Sequence, residues 1–252
     1  MVMKRLVRAA MAFTALVLAA PLRPAMADPT HVIVRARSLD AKFIGTSTGG
    51  VSIVLTDAAT GQVLAEGQIA GGTGDTPRIM QRPPARFDSI SDEDTAGFEA
   101  LLNLGKPTLV RAEARGPLGR PGSAITVSSM MWIIPGRDVL GDGWVLTFPG
   151  LAIEANVVRN SSGVSRVTAN TTLMCGCPIT PGGLWDSNDF TVEAQLLDGE
   201  NIVTRTMLSY AGTASQFVGD LPKVGSGRYT LRVVAVSKKT PNAGVIEQPI
   251  EQ

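Results

Sequence analysis

Gly50-Val-Ser-Ile-Val-Leu-Thr-Asp57, followed by Thr60-Gly-Gln-Val-Leu-Ala-Glu-Gly67, decides the fold class. Apolar residues alternate at Val51, Ile53 and Leu55, the period of a strand that buries one face. Gly49-Gly50 before the run and Thr60-Gly61 after it supply turn chemistry, so two short strands are expected here. The same style continues outward over 31–37, 107–114, 124–134 and 144–148, each bounded by Gly, Pro or Asp. It returns in the second half over 151–158, 165–173, 190–197, 202–209 and 228–236. Helical periodicity is nearly absent after residue 27; one short helix is expected over 92–102, with Ser91 as its N-cap. Six or so short strands in each half predict an all-β chain of two β-sandwiches.

The first 27 residues read as a label rather than as structure. Lys4, Arg5 and Arg8 precede an apolar stretch over 9–20, and Ala25-Met26-Ala27 has the small-x-small pattern of a signal-peptidase site. A cleaved signal peptide over 1–27 is therefore expected, with Asp28 as the mature N-terminus. No later stretch approaches the roughly 18 apolar residues a membrane span requires. Removing the label takes away four cations and leaves 19 basic against 22 acidic residues, a net charge near −3. That balance, without a basic stripe, speaks against nucleic-acid binding. The expected location is the periplasm or the secreted fraction, where disulfides persist.

The boundary between the halves is expected near Pro149-Gly150, giving a first sandwich over 28–150 and a second over 151–252. The segment 71–106 carries Gly-Gly-Thr-Gly-Asp75, Arg-Pro-Pro84 and Asp-Ser-Ile-Ser-Asp-Glu-Asp94. It is too polar and broken for a central strand and exceeds ordinary loop length, so it is expected to be either functional or mobile.

The run from Gly50 to Gly67 resembles the first hairpin of transthyretin-like, carboxypeptidase-regulatory-type β-sandwich domains, which often read G-V-x-V-x-L-x-D-x-x-T-G. Leu221-Pro222, Gly227-Arg-Tyr-Thr-Leu-Arg-Val-Val-Ala-Val236 and Asn242-Ala-Gly-Val245 resemble the closing strand and tail of bacterial immunoglobulin-like domains. The first resemblance implies a module that is usually non-enzymatic. Both describe scaffolds, and a scaffold does not fix a function.

Chemistry concentrates at Met174-Cys-Gly-Cys-Pro178, which holds both cysteines of the chain. Three readings are open. Cys175 and Cys177 can form an intraloop disulfide, a small ring whose constraint Gly176 partly relieves. The two thiolates, with Met174 as a third sulfur, can bind a soft ion such as Cu(I), for which sulfur ligands are selective. The pair can also be structural, packed between sheets. Thiol–disulfide exchange is the enzymatic variant, although Cys-x-Cys lacks the features that lower a thiol pKa in Cys-x-x-Cys proteins.

Other candidates are weaker. Met130, Met131, Met207 and Met80 are read mainly as core filling, and His31, the single imidazole, as a solvent-exposed strand-entry residue. Asp88, Asp92, Glu93 and Asp94 match no calcium-loop spacing. Gly71–Asp75 lacks the Lys-Ser/Thr ending of a phosphate loop, and no Gly-x-Ser-x-Gly elbow exists. Of Trp132, Trp144 and Trp185, one or two are expected in the cores and the rest as a platform for a sugar or partner. The expectation that emerges is an exported, non-catalytic binding or accessory module. Its partner is another exported protein or a metal ion, with Cys175, Cys177 and Met174 as metal ligands. The alternative is a structural or recognition module with an inert cysteine pair.

Overall fold

The computed structural model describes residues 29–82, 84–161 and 163–252. The expected signal peptide over 1–27 lies outside them. The chain is all-β, with fourteen strands, three short 3-10 turns and one five-residue π-turn among the described residues.

Seven strands build the first half: β1 (Pro29–Ser38), β2 (Val51–Asp57), β3 (Val63–Ile69), β4 (Phe98–Asn103), β5 (Thr108–Gly116), β6 (Ile125–Ile133) and β7 (Val139–Phe148). They form a three-stranded sheet in the order β4-β1-β7 and a four-stranded sheet in the order β3-β2-β5-β6. All neighbours are antiparallel except β1 and β7, which run parallel. Period-two patterning places the core. In β5, Thr108, Val110, Ala112, Ala114 and Gly116 are buried while Arg111, Glu113 and Arg115 stay out. Facing them, Val32, Val34 and Ala36 of β1 and Leu146 and Phe148 of β7 complete one apolar cluster. Each fully buried Val, Leu or Phe there contributes about 1.5–3 kcal/mol relative to exposure. The stretch 50–67 forms the β2–β3 hairpin, paired from Val51↔Ile69 to Thr56↔Val63.

The second half adds β8 (Leu151–Arg159), β9 (Ser165–Leu173), β10 (Phe190–Asp198), β11 (Asn201–Tyr210), β12 (Gln216–Leu221), β13 (Arg228–Ser237) and β14 (Ala243–Glu251). Their order is β14-β13-β10-β11-β12-β9-β8. β11 pairs with β10 along 201–208, then crosses over to pair with β12 through Ser209 and Tyr210 alone. One strand thus links two sheets around a second apolar cluster that includes Val192, Ala194, Phe217, Leu231 and Val233. Tyr229, at the start of β13, donates its hydroxyl to Gly225 O at 3.1 Å. This is the corner geometry immunoglobulin-like sandwiches use where a strand enters from the opposite sheet.

Two sequence expectations need correction. No helix forms over 92–102. Phe98-Glu-Ala-Leu-Leu-Asn103 is strand β4, because Ala100 and Leu102 alternate with exposed Glu99, Leu101 and Asn103 and fill the core at period two. The segment 71–106 is accordingly not one long insertion, since residues 98–103 within it form a sheet strand. Strands β12 and β14 also went unread, being short or interrupted by polar residues and Pro249.

The two sandwiches meet along a polar seam. The buried Asn242 side chain accepts from Gly150 N at 2.8 Å and donates to Leu39 O at 2.9 Å. Trp185 Nε1 donates to Asp40 O at 2.9 Å, and Ser123 Oγ both accepts from Ile153 N and donates to Ile153 O. Arg120 pairs with Glu154 beside them.

Candidate functional site

Two places carry the candidate residues: the cysteine turn and the segment 71–91. At the first, Cys175 and Cys177 are joined to each other by a disulfide. Gly176 takes a left-handed conformation (φ +78°), and Gly176 N bonds Leu173 O at 2.8 Å to close the turn. A Cβ at Gly176 would come within 2.7 Å of Thr48 Cγ2, so the turn is seated against the first sandwich. The two cysteines are 2% and 4% exposed and pack in the second core with Ile179 and Trp185. Met174 turns the other way, into the first core, where its Cε would stand 3.2 Å from a Cβ added at Gly150. Both sides are covered because the end of β9 runs between the sandwiches. The structure therefore holds Cys175 and Cys177 together but does not bring Met174 to them. No group of three or more His, Cys, Asp or Glu suited to a metal occurs among the described residues.

The remaining sulfurs are dispersed. Met130 and Met207 are exposed, Met131 lies against the first core and Met80 against the second. His31 is exposed in β1, with its backbone N–H on Asp138 at 2.8 Å. Trp144 and Trp185 are buried, while Trp132 stands on β6 with 62% of its surface open.

The segment 71–91 is far more ordered in its hydrogen bonding than its composition suggests. Its anchor begins in β7, where the register against β1 jumps from Val32↔Val139 to Val34↔Trp144. Residues 140–143 loop out of the ladder as a bulge. Gly141 and Gly143, both at φ +68°, supply the backbone conformation it needs. A side chain at Gly143 would collide with Ile33 O. The bulge aims Asp142 at the incoming loop. Its carboxylate accepts from Ser89 Oγ at 2.6 Å, Ser91 N at 2.8 Å and Ile90 N at 3.1 Å. Partial burial pushes the Asp142 pKa up most strongly of any single influence, yet these hydrogen bonds together outweigh it and hold the carboxyl below its ordinary value.

Arg35 fastens the same loop from β1. Its guanidinium donates to Thr95 O, to Ala96 O at 2.9 Å and to Gly141 O at 3.4 Å. Burial lowers its pKa, opposed by Asp142, Asp92 and Glu99. Upstream, Asp75 Oδ1 accepts from Arg78 N at 2.8 Å, opening the π-turn Pro77–Gln81, and Ile79 is buried beneath it. Arg78 Nη1 then reaches across to Ser91 O at 3.1 Å.

What this frame presents is a cavity of about 430 Å³ lined by Arg78, Arg82, Pro84, Asp88, Ser89 and Ile90. Phe87 projects beside it, 88% exposed, with the Arg86 guanidinium 5.0 Å from the ring centroid. Sequence reading flagged the segment but missed Arg35, Asp142 and Phe87. The signal for Asp142 was present in Gly141-Asp-Gly143, since glycines inside a strand pattern mark a bulge.

No protein-family model matches the chain. No curated protein matches it either. Among solved structures, it is similar to a DUF3823 family protein from Parabacteroides merdae at 14% identity, covering 89% of this chain and 98% of that one, with a TM-score of 0.30. It is also similar to the chicken interferon gamma receptor alpha chain at 9% identity, covering 90% and 98%, with a TM-score of 0.34. A third likeness is to Dpr2 Ig1-Ig2 in complex with DIP-Theta Ig1-Ig3, at 9% identity, 87% and 96% coverage and a TM-score of 0.25.

Proposed function

We propose that this chain is an exported, non-catalytic recognition module that binds another exported protein through the loop around Phe87. The observation that carries the reading is the contrast between that loop's tip and its base. A large aromatic side chain stands 88% exposed beside Arg86, on a segment whose foot is fixed by Asp142 and Arg35. Aromatic and Arg side chains are enriched at protein interfaces, and a binding loop held on a rigid scaffold loses less entropy on docking. The Cys175–Cys177 disulfide supports export, because such bonds persist in oxidising compartments. In this reading the first half is a transthyretin-like sandwich and the second an immunoglobulin-like one, and the cysteine pair is inert.

The test is crosslinking of the exported protein in its own compartment, comparing the wild-type chain with Phe87→Ala and Arg86→Ala variants. A specific partner crosslinked by the wild type and lost from both variants supports the reading. A partner set indifferent to both variants overturns it.

Soft-metal binding stands behind this reading, and only for the reduced chain, where Cys175 and Cys177 would offer two thiolates to Cu(I) without Met174. Anaerobic Cu(I) loading after reduction, competed against a chromogenic chelator, tests it beside a Cys175→Ser/Cys177→Ser variant. One tight equivalent lost in the variant supports copper binding, and no retained copper removes it. Thiol–disulfide exchange would further require an attacking thiolate to reach the buried sulfurs.

A further inference from the structure

Strand β6 closes one edge of the sheet β3-β2-β5-β6 and has no neighbour on its outer side among the described residues. Its sequence, Ile125-Thr-Val-Ser-Ser-Met-Met-Trp-Ile133, contains no charge and no proline. All nine residues pair with β5 without a register break, from Gly116↔Ile125 to Thr108↔Ile133. Natural sheets protect such edges with charges, prolines, bulges or a covering segment. The other free edges here carry a charge: Glu66 in β3, Glu99 in β4, Asp142 in β7, Glu154 in β8, Glu247 in β14 and Arg205 in the free half of β11. β6 instead exposes Trp132 at 62% and Met130 at 49%.

We propose that β6 is a self-association edge, at which two copies of this chain pair antiparallel about a two-fold axis through Ser129. The occupant follows from the residue pattern. In that register Ile125 lies opposite Ile133 of the second copy, and Val127 opposite Met131, on the core side. On the outer side Thr126 meets Trp132 and Ser128 meets Met130. Apolar therefore meets apolar along the inner row, and no like charges oppose each other. The next strand inward places no like charges on one row. Arg111 pairs with Met130 and Glu113 with Ser128 within one copy. The two-fold register thus sets Arg111 of one copy and Glu113 of the other on the same row of a continuous eight-stranded sheet. The pairing also removes the aromatic surface of Trp132 from water and satisfies the outward N–H and C=O groups of β6.

The experiment is sedimentation equilibrium of the full exported chain over micromolar concentrations, beside a Ser128→Lys/Met130→Lys variant. Each substituted position is exposed, and the register brings the introduced cations face to face across the axis. The expected result is a dimer for the wild type and a monomer for the variant, with the same melting temperature for the monomeric fold. Hydrogen exchange of the wild type covers the case of a misfolded variant: amides over 125–133 gain protection as concentration rises. A wild-type monomer throughout, a dimer the variant leaves intact, or exchange over 125–133 that ignores concentration overturns the proposal. The outcome is independent of the Phe87 loop, whose partner binding is read separately.

Discussion

Replacing Asp142 with alanine tests the anchor that turns a polar segment into a presenting loop. The carboxylate accepts three hydrogen bonds, from Ser89 Oγ, Ile90 N and Ser91 N. Ser91 is buried, so its N–H would lose its partner without gaining water, at a cost of about 1–3 kcal/mol. Ser89 and Ile90 are more open and recover solvent, so each loses about 0.5–1 kcal/mol. The expected local destabilisation is about 2–5 kcal/mol, or roughly a 30- to 5,000-fold rise in the population of the opened loop. Native-state hydrogen exchange reads it directly. Amides of Ile90 and Ser91 should exchange faster by that factor, while Val110, Ala112 and Ala114 at the centre of β5 keep their rates. The carboxyl also titrates with a depressed pKa in the folded chain. Its stabilisation is thus fully present above the unfolded carboxylate value and is lost as pH falls through the folded one. Loop protection should fall on acidification in the wild type and lose that acid limb in Asp142→Ala. Unchanged Ser91 exchange in the variant at neutral pH would refute the reasoning.

Three further outcomes follow from the same geometry. Asn242→Ala removes both seam hydrogen bonds of a buried amide and should lower global stability by about 2–3 kcal/mol in urea unfolding, and a change under about 0.5 kcal/mol would show that the seam is not held there. Tyr229→Phe should cost only about 0.5–1.5 kcal/mol, seen as a small drop in melting temperature with an unchanged far-UV spectrum, because it deletes one exposed hydroxyl bond to Gly225 O. The unreduced protein should show no titratable thiol without denaturant or with it, and an accessible thiol in either sample would contradict the Cys175–Cys177 bond.

The β class was legible because alternation survives wherever one face of a strand is buried. Val51, Ile53 and Leu55 announce β2, and Val110, Ala112 and Ala114 announce β5. β4 was misread because Asp92-Glu-Asp94 and the Ser91 cap look like a helix start, while its two buried residues give the period of two little length to show itself. The cysteine spacing located a special turn, but which way each sulfur points depends on two cores that no local pattern reports. Met174 and Cys175 are neighbours in sequence and enter different cores. The loop anchor was hidden for a similar reason. Arg35 and Asp142 are 107 positions apart, and only the parallel pairing of β1 with β7 brings both to one loop.

Asn242 also imposes an order on assembly. A chain made from its N-terminus delivers the Leu39 carbonyl early and the Gly150 N–H midway, long before the amide that binds both. That amide sits between β13 and β14, so it reaches its place only when the last two strands of the second sandwich have paired. Until then both backbone groups must remain hydrated, and the seam holds through its other links, Trp185 to Asp40 and Ser123 to Ile153. The seam's polar bonding is therefore completed only with the second half, whose last turn carries the amide that closes it.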